Sequence, residues 1–162
     1  MDPLQTGKGI RLLIVTEDEQ LARTLYDYLT PIGYNLDRAS GGTDGWKRAS
    51  SNNYEVLLLD AALSGMDGLT LCRRLRVEVG LDTPILVFLN GESLETRVLC
   101  LNWGADGFTS KSVHMMELEA MLRANVSRFR SQQVPRPPDL QVPHGDLKAG
   151  AELGKLPDGL QP

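Results

Sequence analysis

Five short apolar runs recur along this chain, each followed by a stretch with helical period, and the links between them are short. That alternation leaves few folds open. Strands separated by helices cannot pair as hairpins. They run parallel, through right-handed crossovers, in a sheet with helices on both faces. The strand runs are residues 10–15 (IRLLIV), 34–40, 56–59 (VLLL) ending at Asp60, 84–89 (PILVFL) and 107–110. The helical stretches are residues 18–30, 42–51, 69–79, 92–103 and 113–130. Leu21, Leu25 and Leu29 share one face of the first helix; Leu94, Val98 and Leu101 share one face of the fourth. Both sets are read as facing inward. Asp18 and Glu19 suit the positive end of the first helix, and Pro31 and Gly33 end it.

This pattern occupies residues 10–130, one domain. Residues 1–9 form an N-terminal extension without the apolar core of a signal peptide. Residues 131–162 hold six of the nine prolines and no aromatic residue, the composition of a linker or tail. With 41% hydrophobic and 23% charged residues the chain is globular, and a net charge of -4 gives no bulk-charge reason to expect bound nucleic acid. No apolar run approaches the roughly 18 residues of a membrane span. The two cysteines, Cys72 and Cys100, are too few for a disulfide framework and lack metal-site spacing, so a cytoplasmic setting is expected.

In an open parallel sheet the functional crevice lies beyond the carboxyl ends of the strands, where strand order reverses. Those ends supply Thr16-Glu17-Asp18, Asp60-Ala61-Ala62, Leu89-Asn90 and Ser110-Lys111. Carboxylates on neighbouring strand ends suit a hard cation such as Mg²⁺, which needs only one or two of them plus water. A lysine there offsets the crowded negative charge and can pair with a phosphoryl oxygen. Anionic groups, a metal and a cation together are the requirements of an aspartyl-phosphate site.

The blocks LLIV before Thr16-Glu17-Asp18, VLLLD before SGMDG, and GADGFTSK are similar to those of the receiver domain of two-component response regulators. The resemblance covers about residues 9–130. It implies a flavodoxin-like five-stranded sheet in the order 2-1-3-4-5, with Asp60 accepting a phosphoryl group from a sensor histidine kinase or phosphotransfer protein. It also implies Mg²⁺ held by Glu17, Asp60 and the backbone carbonyl of Ala62, with Asp18 as an alternative ligand. Lys111 would contact the phosphoryl group, and Leu89 and Phe108 fall on the two positions that move when the family switches.

Four positions depart from that pattern. Counting back from Gly33 and Asp60, the two usual acids fall on Thr16 and Glu17, so one carboxylate is lost and the other is a methylene longer. A one-residue slip pairing Glu17 with Asp18 instead would need a bulge. Leu89 stands where a Thr or Ser hydroxyl is usual. A hydrogen bond to a charged group is worth roughly 1.5–3 kcal/mol, a large share of the roughly 5.5 kcal/mol that inverts a two-state equilibrium. Asn90 is adjacent, but its side chain takes the other direction of the pleat. Ser112 replaces the usual Pro, and Phe108 has no hydroxyl. The expectation is a phosphoacceptor with weakened or altered switching. The alternative is a phosphorylation-independent interaction or dimerisation module.

No enzymatic activity is expected. A phosphatase with an Asp nucleophile wants a second acid two residues on, and Ala62 cannot transfer a proton. A flavodoxin-like flavin binder needs a hydroxyl- and glycine-rich first loop, whereas Glu17, Asp18 and Glu19 repel phosphate. Trp103, near a helix end, is read either as an interface residue or as a core or half-buried one. Met115, Met116 and Met121 are read as core filling.

Overall fold

A computed structural model describes residues 7–133. Most of the N-terminal extension and the proline-rich tail lie outside the described residues. The chain divides into two units, Met1–Ser131 and Gln132–Pro162; of the second, only Gln132 and Gln133 are described, as the end of the last helix. The first unit holds β1 (Arg11–Val15), α1 (Glu19–Leu29), β2 (Asn35–Ala39), α2 (Gly42–Ser51), β3 (Val56–Asp60), α3 (Gly68–Arg74), β4 (Ile85–Phe88), α4 (Leu94–Asn102), β5 (Gly107–Thr109) and most of α5 (Met115–Gln133). The sheet is parallel throughout and its order is β2-β1-β3-β4-β5, as the resemblance implies.

Successive residues of the central strands face opposite layers. Leu13, Val15, Leu57, Leu59, Ile85 and Val87 meet Ala49, Leu71, Cys72 and Cys100 from α2, α3 and α4. Leu12, Ile14, Val56, Leu58, Leu86 and Phe88 meet Leu21, Leu25 and Leu29 of α1 and Leu118, Leu122 and Val126 of α5. Every residue of β3 is buried, whereas the edge strand β2 buries only Ala39. Each fully buried Leu contributes about 1.5–3 kcal/mol, so these two layers hold the strand ends in place.

Side chains start three of the helices. Asp18 accepts from the Leu21 N–H, Asp67 from Thr70 and Ser93 from Thr96, each satisfying a donor the helix itself leaves free. Beyond α3 the backbone widens into a π turn, Leu75–Val79, closed by Gly80 at φ 71. Only an achiral residue takes that conformation without cost. Arg76, inside this turn, donates to the carbonyls of Leu81, Thr83 and Gly104 and pairs with Asp106 at 2.9 Å, tying the turn to the approach to β5.

Several expectations are corrected here. Leu94, Val98 and Leu101 do not face inward: they are 64%, 47% and 47% exposed, and α4 buries only Cys100. The stretch 69–79 is α3 followed by the π turn rather than one α-helix, and the last helix runs past Arg130 to Gln133. The three methionines divide: Met115 and Met121 pack on the core and Met116 is 66% exposed. Trp103 is half-buried, with the Arg73 guanidinium 4.8 Å from its ring centre.

Candidate functional site

Strands β1 and β3 pair with Val15 opposite Leu59, and β1 also pairs without interruption with β2. There is no bulge to shift Glu17 and Asp18 by one position. The next residue of each strand end is therefore Thr16 beside Asp60, both buried. The loop after β3 turns sharply into α3. A Cβ on Gly68 would come within 2.2 Å of the Asp60 carbonyl oxygen, so only glycine lets α3 begin this close to Asp60.

Asp60 is 1% exposed, and each of its carboxylate oxygens has a protein donor. Its Oδ1 accepts the Ala62 N–H at 3.0 Å. Its Oδ2 accepts the Thr16 hydroxyl at 2.7 Å and lies 2.8 Å from the Lys111 ammonium. Burial of an isolated carboxylate would be costly; a cation and two hydrogen bonds offset that cost. Burial pulls the Lys111 ammonium down, but its hydrogen bond to Asp60 and the charges of Asp60 and Asp18 outweigh this and leave its pKa raised.

Glu17 is exposed, and one of its oxygens accepts both the backbone N–H and the hydroxyl of Ser64, at 2.9 and 2.6 Å. The Ser64 hydroxyl, and then its N–H, hold the Glu17 carboxyl below its ordinary value. The extra methylene lets this acid reach the loop that follows Asp60. Asp18 has a different task. It caps α1, the Leu21 N–H holds its carboxyl below the ordinary value, and its Oδ2 lies 3.7 Å from Lys111.

Two of the expected metal carboxylates therefore stand at this end of the sheet, Glu17 and Asp60, with the exposed Ala62 following Asp60 by two residues. Among the described residues, no group of three Asp, Glu, His or Cys could hold a metal ion. Mg²⁺ asks for only one or two carboxylates with water completing an octahedron, so the donor set fits at its minimum.

Leu89 follows β4, donates its N–H to the Thr109 carbonyl at 2.8 Å and buries its side chain in the layer under α2, α3 and α4. It offers Asp60 no hydrogen bond. Asn90 is exposed, with its N–H given to Glu92. Phe108 is half-buried against the same layer as Leu89, and with Arg97 the two residues border a cleft of about 250 Å³.

Three site residues escape the sequence reading: Thr16, Ser64 and Arg38. Thr16 registers there only as a lost acid, although its place beside Asp60 follows once β1 and β3 are neighbours. Ser64 carries a weaker signal, a hydroxyl in the loop directly after Asp60. Arg38, on β2, donates to the Thr16 carbonyl at 2.9 and 3.2 Å and pairs with Glu19 at 2.9 Å; no sequence pattern marks it.

Comparison with known proteins bears on the family and the fold. The transcriptional regulatory protein TcrA of Mycobacterium tuberculosis is 32% identical over 140 residues, covering 86% of this chain and 53% of its own length. The response regulator ArlR of Staphylococcus haemolyticus is 37% identical over 117 residues, covering 72% and 52%. The chain thus spans about half the length of these curated relatives. Among solved structures, a Burkholderia pseudomallei response regulator with a phosphorylated aspartic acid, a calcium ion and citrate has a TM-score of 0.64 at 26% identity, covering 77% of this chain and 73% of that one. Residues 12–123 match the response regulator receiver domain, and the chain belongs to that family.

Proposed function

We propose that Asp60 is the phosphoacceptor of this receiver and that a sensor histidine kinase or phosphotransfer protein supplies the phosphoryl group. The observation that carries this reading is the acceptor itself: a buried carboxylate at the end of β3 with an ammonium 2.8 Å away. One Asp60 oxygen forms the new P–O bond while the P–N bond to the donor histidine breaks, and the imidazole leaves carrying a ring proton. Lys111 is placed to pair with the transferred phosphoryl oxygens. Glu17, Asp60 and the Ala62 carbonyl would hold Mg²⁺, which when bound neutralises charge on the phosphoryl group. The protein acts as an acceptor and signal carrier rather than an enzyme, in the cytoplasm, and binds no nucleic acid through the described domain. Among the described residues, no helix is long and apolar enough to cross a membrane.

Switching through α4 and β5 is weakened in this reading. Leu89 brings no hydroxyl to Asp60 and instead fills the core. The same observation favours a second reading, a module whose contacts do not depend on phosphate. The exposed Leu94, Val98 and Leu101 face of α4 would then meet a partner or a second copy of the chain.

Incubation with Mg²⁺ and acetyl phosphate, followed by intact mass, tests the first reading. The wild type is expected to gain one phosphoryl group and Asp60→Asn none. A folded wild type that gains no mass from acetyl phosphate or from a kinase leaves only the second reading.

A further inference from the structure

Thr16 occupies the one position in this site where an acid has become a hydroxyl, and that hydroxyl has no freedom to turn. Its oxygen accepts the Asp18 N–H at 3.0 Å, so its single proton is committed to Asp60 Oδ2, 2.7 Å away. The residue is fully buried. Its own carbonyl is gripped by Arg38 from β2, through Nε at 3.2 Å and Nη2 at 2.9 Å. The remaining Arg38 terminal nitrogen reaches Glu19 in the first turn of α1, at 2.9 Å. An unbroken polar path therefore runs from the acceptor carboxylate through Thr16 to the edge of the sheet. On the opposite side, Leu89 offers no such path to α4.

Resting on the reading of Asp60 as phosphoacceptor, we propose that Thr16 is a positioning residue that supplies from β1 the phosphoryl-facing hydroxyl missing from β4, and that the state of Asp60 is read out at Arg38 and Glu19. Phosphorylation removes the charge from the Asp60 carboxylate and moves it outward onto phosphoryl oxygens. The Thr16 proton then either follows that charge or keeps a neutral acyl oxygen, a weaker acceptor than the carboxylate. Because the Asp18 N–H fixes the hydroxyl and Arg38 grips the same residue's carbonyl, the displacement passes to the guanidinium. The surface that changes is the β2 edge with the start of α1, not the α4 face.

Beryllofluoride, a non-covalent stand-in for the phosphoryl group, provides the test on the full chain in the presence of Mg²⁺. The readouts are the side-chain Nε–H resonance of Arg38 and the backbone amides of Ala61, Ala62 and α4. In the wild type the Arg38 resonance is expected to move together with Ala61 and Ala62, and further than the α4 amides. Thr16→Val keeps the volume and removes the hydroxyl; it is expected to bind beryllofluoride about tenfold or more weakly and to uncouple the Arg38 resonance. Thr16→Ser restores both. The wild-type comparison stands even where Thr16→Val does not fold. A wild type in which Ala61, Ala62 and α4 respond while Arg38 stays still overturns the inference and leaves the phosphoacceptor reading intact. A folded Thr16→Val that behaves as wild type overturns it in the same way. No response at any residue overturns both.

Discussion

At the scale of single residues, the proposed change in switching rests on two positions, and they work against each other. Leu89 has exchanged a polar contact for burial: it is 5% exposed in a packed layer. Leu89→Thr would bring a hydroxyl back toward Asp60 but remove apolar volume from that layer. The expected cost is about 2–4 kcal/mol of stability, read from denaturant midpoints, together with a larger response of α4 to phosphorylation. A variant as stable as wild type would mean that Leu89 is not packed as described. Thr16, at a position where the family resemblance expects an acid, instead donates its hydroxyl to Asp60. Asp60, Lys111 and Glu17 are legible in the sequence because each stands at the end of a strand or within two residues of it, and strand ends converge in this topology. Thr16 is legible only as an absence. A search for acids has no place for a residue that helps by donating a proton.

At the scale of elements, the strands are easier to read than the helix faces. Buried parallel strands are apolar throughout, so their position survives small errors of period. A helix's apolar stripe marks a face but not what covers it. In α4 the apolar stripe is Leu94, Val98 and Leu101, yet Cys100 is the residue that meets the sheet. A small thiol fits where the helix approaches closely, while the leucines and valine remain outside. The double variant Leu94→Lys with Val98→Lys is therefore expected to change stability by no more than about 1 kcal/mol. Leu71→Ala, fully buried in α3, is expected to cost about 2–5 kcal/mol. Similar losses for the two variants in urea melts would return the stripe to the core. The π turn after α3 leaves no trace in composition, since it depends on where Arg76 finds carbonyls from two other segments.

At the scale of the whole molecule, the acids at the start of α1 make stability depend on pH in one direction. The Ser64 contacts lower Glu17, the Leu21 N–H lowers Asp18, and the Arg38 side chain lowers Glu19, from ordinary values of 4.5, 3.8 and 4.5. A carboxyl lowered in the folded state contributes stability above its ordinary value and loses it as pH falls through the folded value. Lys111, raised, contributes fully below its ordinary value of 10.5 and loses that contribution as pH rises through its folded value. The denaturation midpoint is thus expected to hold steady across neutral pH, to fall on acidification below about pH 4.5, and to fall again in strong alkali. A midpoint unchanged down to about pH 3 would show that these carboxyl contacts are not made in solution.

The layer between α1, α5 and the sheet has a further consequence, for the order in which the domain can be assembled. Its strand face includes Leu12 and Ile14, among the first residues of the domain to leave the ribosome, and its cover includes Leu118, Leu122 and Val126, among the last. Of the two covering helices only α1 is local to β1, and no hairpin pairing in the sheet shelters the rest of that face in the meantime. A nascent chain stopped before α5 emerges would present half a hydrophobic layer to its surroundings. The domain's last-synthesised helix completes the cover that α1 begins over its first strand.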